Sequence, residues 1–228
     1  MWNVVYCHGF ASSPQSKKAN LFRGPLEALG VRYYVPDLNQ PSFQQLTLTA
    51  MLETVDALMQ TLDDRPTLIV GSSMGGLVAL HYCDRYRHTS ARKVKKAVLL
   101  APAFDFMANR DRTEGPGWEE RWRAAGQMPF FNYATGQPEY VHYGLVEDIK
   151  QYDSWGVQLD IPVLIYHGIH DDVVDPGQSE RYHREHNGVT LALLESDHQL
   201  LDQTDVILKG LCVMMGLEPP HIAETSSG

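Results

Sequence analysis

The chain has 228 residues, 43% of them hydrophobic, enough to build one sizeable core within a single domain. Its formal charge of -9 argues against nucleic acid and anionic membrane surfaces as partners, because a polyanion needs an electropositive face against which to release its counterions. The basic run from Arg85 to Lys96 falls between a helical stretch and a strand and reads as a solvated face, so neutral or apolar small molecules suit this protein better.

In chain order, the apolar run Asn3 to Tyr6 predicts a first strand, and His8-Gly9-Phe10 opens the loop that follows it. A helix is expected over Lys17 to Leu29, a strand over Arg32 to Val35 and a second helix over Leu46 to Leu62. Thr67 to Val70 is the next buried strand and runs into Gly71-Ser72-Ser73-Met74-Gly75, with a helix from Gly75 to Tyr86. After a strand at Ala97 to Leu100 the alternation breaks. Asp105 to Leu159 mixes turn formers with Trp118, Trp122, Phe130, Phe131, Tyr133, Tyr140, Tyr143 and Trp155, and reads as a cap inserted between two strands. Such aromatics are first of all the packing that seats a cap on a sheet. Alternation resumes with Val163 to Tyr166, a helix over Gly177 to His186, the strand Thr190 to Leu194 and a last helix from about Gln203 to Met215.

Strands alternating with helices imply a parallel sheet covered on both faces. A single α/β domain is therefore expected over residues 1–216, with the cap at about 105–159 and a disordered tail at 217–228, where Glu, Pro, Thr and Ser take over. Cys7, Cys83 and Cys212 form neither a disulfide framework nor a C-x-x-C pair, which suits a reducing compartment. The first residues lack the basic region and long apolar stretch of a signal peptide, and no run is long enough to span a bilayer. A soluble, cytoplasmic protein without a membrane partner is expected; the oligomeric state is left open.

Gly71-Ser72-Ser73-Met74-Gly75 lies between a strand and a helix, the context of a nucleophile elbow. Positions two before and two after the nucleophile have almost no room for a side chain, and only Ser73 is flanked symmetrically by glycines. The other reading, a glycine-rich turn that cradles phosphate, lacks the Lys-Ser or Lys-Thr of a Walker loop. In this architecture the His8-Gly9-Phe10 loop abuts the elbow, so the backbone amides of Phe10 and Met74 are expected to form an oxyanion hole. His8 reads as a residue that fixes this loop by hydrogen bonding.

A serine nucleophile needs a base within reach and a carboxylate to orient that base. With ten histidines present, position has to decide, and the expected chain order is Ser, then Asp or Glu, then His, on loops after late strands. The strand Val163 to Tyr166 leads to His167-Gly168-Ile169-His170-Asp171-Asp172, and Thr190 to Leu194 leads to Glu195-Ser196-Asp197-His198. His198 is the expected base, and Asp171 or Asp172 the expected acid. Asp175, before Pro176, reads as a helix cap.

Taken together, His8-Gly9-Phe10 with Ser12-Ser13-Pro14-Gln15-Ser16-Lys17-Lys18-Ala19 behind it, Val35-Pro36-Asp37-Leu38, Gly71-Ser72-Ser73-Met74-Gly75-Gly76 and the two late loops resemble the small YqiA-type esterases of the α/β-hydrolase superfamily. The resemblance covers most of the chain. It implies that the acid stands four residues after the histidine of the His-Gly pair, which is Asp171, and that the reaction is ester or thioester hydrolysis with no cofactor and no metal. The antiparallel hairpin with which many relatives begin is missing, leaving a minimal, doubly wound, mostly parallel sheet of about six strands with a helical or irregular cap insertion. The expectation is thus a serine esterase with the catalytic residues Ser73, Asp171 and His198 and the oxyanion hole Phe10 and Met74, acting on a small ester substrate. The same triad serves thioesterases, amidases and peptidases, and a hydrolase-like fold without activity is the reading from another class.

Overall fold

The computed structural model describes residues 1–220. The last part of the expected tail, 221–228, lies outside the described residues. Apart from short 3-10 turns, the first half alternates throughout: β1 (Asn3–Cys7), α1 (Lys17–Ala28), β2 (Arg32–Tyr34), α2 (Leu48–Thr61), β3 (Thr67–Ser72), α3 (Met74–Arg85) and β4 (Val94–Leu100). The insertion then forms α4 (Phe106–Glu114), α5 (Trp118–Ala125), β5 (Gln127–Asn132), β6 (Gln137–His142) and α6 (Gly144–Ile149). The chain closes with β7 (Val163–Gly168), α7 (Pro176–Glu185), β8 (Val189–Leu194) and α8 (Thr204–Met215).

Six strands form one sheet in the order β2-β1-β3-β4-β7-β8, and every pairing in it is parallel. The strands at its centre are buried along their length, which is why they read as continuous apolar runs. Successive side chains still point to opposite faces. Val5, Cys7, Ile69 and Ile165 enter the core beneath α2, α3 and α7, while Val4, Tyr6, Val70 and Val98 enter the core beneath α1 and α8. The sheet is therefore covered on both faces by helices, as expected.

Helix starts follow from side-chain caps. Ser16 accepts from Ala19 N at 3.3 Å before α1, Thr47 from Ala50 N at 3.1 Å before α2, and Asp175 from Gly177 N at 2.9 Å before α7. Asp175 is thus the cap that its position before Pro176 suggested. Helix α8 ends in a left-handed Gly216 (φ 67°), and Leu217 N returns to Cys212 O at 2.9 Å. Among the described residues no helix is long and apolar enough to cross a membrane.

One expectation is corrected within the cap. The insertion is not only helical and irregular, because β5 and β6 pair antiparallel, Gln127 with His142 through Asn132 with Gln137. Trp118 and Trp122 are buried beneath this ribbon, with Trp118 Nε1 donating to Asp111 at 2.7 Å and Trp122 Nε1 to Val141 O at 2.9 Å. These aromatics pack the cap's own elements together. Phe131, Tyr133 and Tyr140 remain exposed on its outer side.

Candidate active site

The loops after β1, β3, β7 and β8 meet at the carboxyl ends of their strands, where open parallel sheets form their crevices. Ser73 stands between β3 and α3 at φ 55°, ψ -119°, a conformation that a residue with a side chain adopts only when its surroundings impose it. The flanking glycines are dictated by contact. A Cβ on Gly71 would lie 2.2 Å from Gly75 O, and one on Gly75 would lie 2.0 Å from Cys7 O, so neither position has room for a methyl group. The turn can therefore press against β1 only with glycine at both places.

This constraint lifts the Ser73 hydroxyl towards His198. Ser73 Oγ lies 3.1 Å from His198 Nε2, and His198 Nδ1 lies 2.7 Å from Asp171 Oδ2. Because Nδ1 faces a carboxylate it carries the ring proton, leaving Nε2 to accept from the serine hydroxyl. The Asp171 side chain is fully shielded from solvent, whereas that of His198 retains 19% of its exposure. Asp172 is exposed. Of the two neighbouring aspartates, it is Asp171 that lies against His198.

The Asp171 carboxylate is hydrogen-bonded on both oxygens. Oδ1 accepts from Val173 N at 2.9 Å and Val174 N at 2.8 Å, and Oδ2 receives His167 Nε2 at 3.1 Å in addition to His198. Burial by itself would push this carboxyl up, but the hydrogen bonds from His167 and His198 outweigh it and hold the acid well below the usual carboxylate range. Asp171 is therefore ionised at any ordinary pH.

The loop after β1 lies against the elbow, with a Cβ on Gly9 falling 3.4 Å from Ser73 Cβ. Among the described residues neither Phe10 N–H nor Met74 N–H has a hydrogen-bond partner. The loop is fixed from below by His8, whose Nε2 accepts from Leu38 N at 3.0 Å, the loop-fixing role expected of it. From above, Tyr133 N donates to Ala11 O at 2.9 Å, and Phe130 meets the Phe10 ring edge-on at 5.0 Å. Arg110 of α4 lies over Phe10, Phe106 and Phe130 at 5.0 to 5.3 Å and pairs with Glu114 at 3.3 Å.

Sequence reasoning missed several residues around this centre. Lys18 Nζ donates to Ser72 Oγ at 3.0 Å, Arg112 Nη2 donates to Asp171 O at 3.1 Å, and His167 reaches Asp171 from beneath. Lys18 and His167 both belong to the matched motifs, but nothing in their spacing pointed to a partner. Asp197 accepts from Gln199 N at 2.8 Å and Leu200 N at 3.2 Å, shaping the loop that carries His198. Among the described residues no group of three His, Cys, Asp or Glu side chains is placed to hold a metal ion.

A family model described as "Uncharacterised protein family (UPF0227)" matches residues 3–209. No curated protein matches the sequence. Similar solved structures include a protein from Agrobacterium vitis S4 provisionally described as a hydrolase, with TM-score 0.79 and 23% identity over 93% of this chain and 87% of that one. The mouse alpha/beta hydrolase domain-containing protein 10 superposes with TM-score 0.77 at 16% identity, covering 94% and 89%. Est1E from Butyrivibrio proteoclasticus, solved with ferulic acid bound, superposes with TM-score 0.74 at 17% identity, covering 95% and 90%. The fold is that of the α/β hydrolases.

Proposed function

This chain belongs to the uncharacterised protein family UPF0227, and we propose that it is a serine hydrolase that cleaves carboxylic esters of small, apolar substrates through an acyl-enzyme on Ser73. The observation that carries this reading is the continuous line from Ser73 Oγ through His198 to the buried Asp171, at 3.1 and 2.7 Å, on a serine held at positive φ. Neighbours of the fold named as an esterase from Pyrococcus furiosus and a monoacylglycerol lipase from Paleococcus ferrophilus support the choice of an ester.

In the first step His198 Nε2 takes the Ser73 proton as Oγ bonds to the ester carbonyl carbon, and the carbonyl electron pair moves onto oxygen. The Phe10 and Met74 amides, which point to no protein acceptor, stabilise that oxyanion together with the amino end of α3. Collapse breaks the bond to the alcohol, whose oxygen takes the proton from His198. Asp171 stabilises the intervening imidazolium. Water then repeats the sequence on the acyl-enzyme, releasing the carboxylic acid and restoring Ser73.

The test is labelling with a fluorophosphonate probe followed by a chain-length series of nitrophenyl esters. Wild type is expected to be labelled on Ser73 and to turn over the short members, whereas Ser73→Ala, with unchanged circular dichroism, is expected to lose labelling and several orders of magnitude in kcat. Turnover retained in that variant would overturn the assignment. An intact, unlabelled wild type would point instead to a binding protein that keeps a hydrolase pocket.

A further inference from the structure

We propose that His167 is a positioning residue for the hydrolysis at Ser73, and that its Nε2–H holds Asp171 in place and weakens it as a base towards His198. The inference rests on the triad reading given above. Its starting point is that one oxygen, Asp171 Oδ2, faces two imidazoles, His198 Nδ1 at 2.7 Å and His167 Nε2 at 3.1 Å.

The protonation of His167 follows from its partners. Nε2 faces two acceptors, Asp171 Oδ2 and Val174 O at 3.2 Å, so the ring proton is there. On the other side Nδ1 lies 2.7 Å from Ser179 Oγ. Both side chains are wholly buried, and a second charge beside Asp171 would go without the solvation an exposed imidazolium enjoys. A neutral ring needs Nδ1 as an acceptor, so Ser179 donates its hydroxyl proton to it. Ser179 thereby selects the tautomer that lets His167 donate to the acid, much as Asp171 selects the tautomer of His198.

Two consequences bear on the reaction. His167 and the amides of Val173 and Val174 grip the carboxylate from directions other than that of His198, so the line from Oδ2 to the base does not rotate. His167 also takes up part of the negative charge that would otherwise stabilise a protonated His198 in the resting enzyme. Without that donor the full carboxylate charge faces His198, and the acid limb of the activity profile is expected to move up. The other charged groups facing this centre are Lys18 from α1, Arg112 from α4 and Asp197 from the loop after β8; α7 contributes the Ser179 hydroxyl. None of them is altered in the variants below.

The experiment measures the rate of fluorophosphonate labelling at Ser73 against pH, which requires no knowledge of the natural substrate. His167→Phe keeps a ring but has no donor, and is expected to label about tenfold more slowly, with an acid limb displaced to higher pH. His167→Gln retains an amide N–H at the Nε2 position and is expected to restore most of the rate and the original limb. A folded His167→Phe with wild-type rate and limb overturns the proposal. So does a His167→Gln that falls as far as His167→Phe with no movement of the limb, since that pattern belongs to packing alone. Should His167→Phe fail to fold, Ser179→Ala carries the test: losing the donor to Nδ1 frees the ring tautomer, and the limb is expected to move up, an unmoved limb again overturning the proposal. A wild type that is not labelled at Ser73 removes the triad reading itself, and is thus told apart from a labelled wild type whose His167 variants behave normally.

Discussion

Lys18 donates through Nζ to Ser72 Oγ at 3.0 Å, placing a cation from the first helix behind the residue that precedes the candidate nucleophile. Burial lowers this ammonium group to about 8, against an opposing attraction from Asp197 and Asp171. Its folded pKa thus lies below the unfolded value of about 10.4, so the unfolded chain binds more protons between the two.

Stability in the wild type is therefore expected to rise as pH climbs from about 8 to about 10.4, because folding no longer has to hold a charged amine in a poorly solvated place. Lys18→Met keeps the stem and removes the charge. Urea melts of both proteins across that range should show a gain on the order of a few kcal/mol in the wild type that is missing from the variant. Parallel curves would contradict it.

The two neighbouring aspartates are expected to part sharply. In Asp171→Asn one side of the amide is an NH2, which must face either the two imidazole donors or the two backbone donors, so one pair is always left without an acceptor. Labelling of Ser73 should fall by about three to four orders of magnitude. Asp172→Asn, at an exposed position, should label within about twofold of wild type. Equal losses in the two would remove Asp171 from the triad.

Asp171→Asn also bears on acid stability. A carboxyl held below its unfolded value contributes stability that is fully present above about pH 4 and is lost as pH falls through the folded value. The gap in unfolding free energy between wild type and Asp171→Asn should accordingly be widest near neutrality and shrink in acid. A gap that does not change with pH would sink this account.

Gly75→Ala should fail on steric grounds, because its methyl group would fall 2.0 Å from the Cys7 carbonyl oxygen, a backbone atom that cannot swing aside. A loss of about 3 kcal/mol or more is expected, read as a fall of roughly 6–12 °C in Tm. Gly24→Ala is the control. Gly24 lies within α1 with open space around a Cβ except for its neighbour Pro25, which disfavours helical backbone at a preceding residue that has a side chain, so alanine should stay within about 1 kcal/mol of wild type.

The cap should depend on Trp122, which is 1% exposed and lies 5.1 Å from the Phe130 ring that meets Phe10. Trp122→Ala is expected to cost about 3–5 kcal/mol by opening a cavity. Because Phe130 then loses its support, labelling of Ser73 should slow as well. Trp122→Phe, which loses the bond to Val141 O but keeps a ring, should retain most of that rate.

Much of the architecture was legible in the amino-acid order because its causes are local. A strand buried on both faces has to be apolar throughout, so Val4 to Cys7 and Leu68 to Val70 stand out without any knowledge of their neighbours. The elbow was legible for the same reason, since its glycines answer to a turn only five residues long. The β5–β6 ribbon was not: Pro129 and Pro138 interrupt its strands, and only one side of it is covered, so neither a buried run nor a clean alternation marks it.

The amino-acid sequence by itself determined the alternation of strands and helices, the serine at the turn and the order in which the candidate acid and base follow it. Only the tertiary structure set Asp171 rather than Asp172 against His198, and only it joined Lys18 to Ser72, Arg112 to the Asp171 carbonyl, and His167 with Ser179 to the Asp171 carboxylate. Those choices turn on directions and on partners as far as 59 residues apart along the chain. Hydrogen bonds have a reach of about 3 Å and a preferred angle, which spacing in a sequence does not encode.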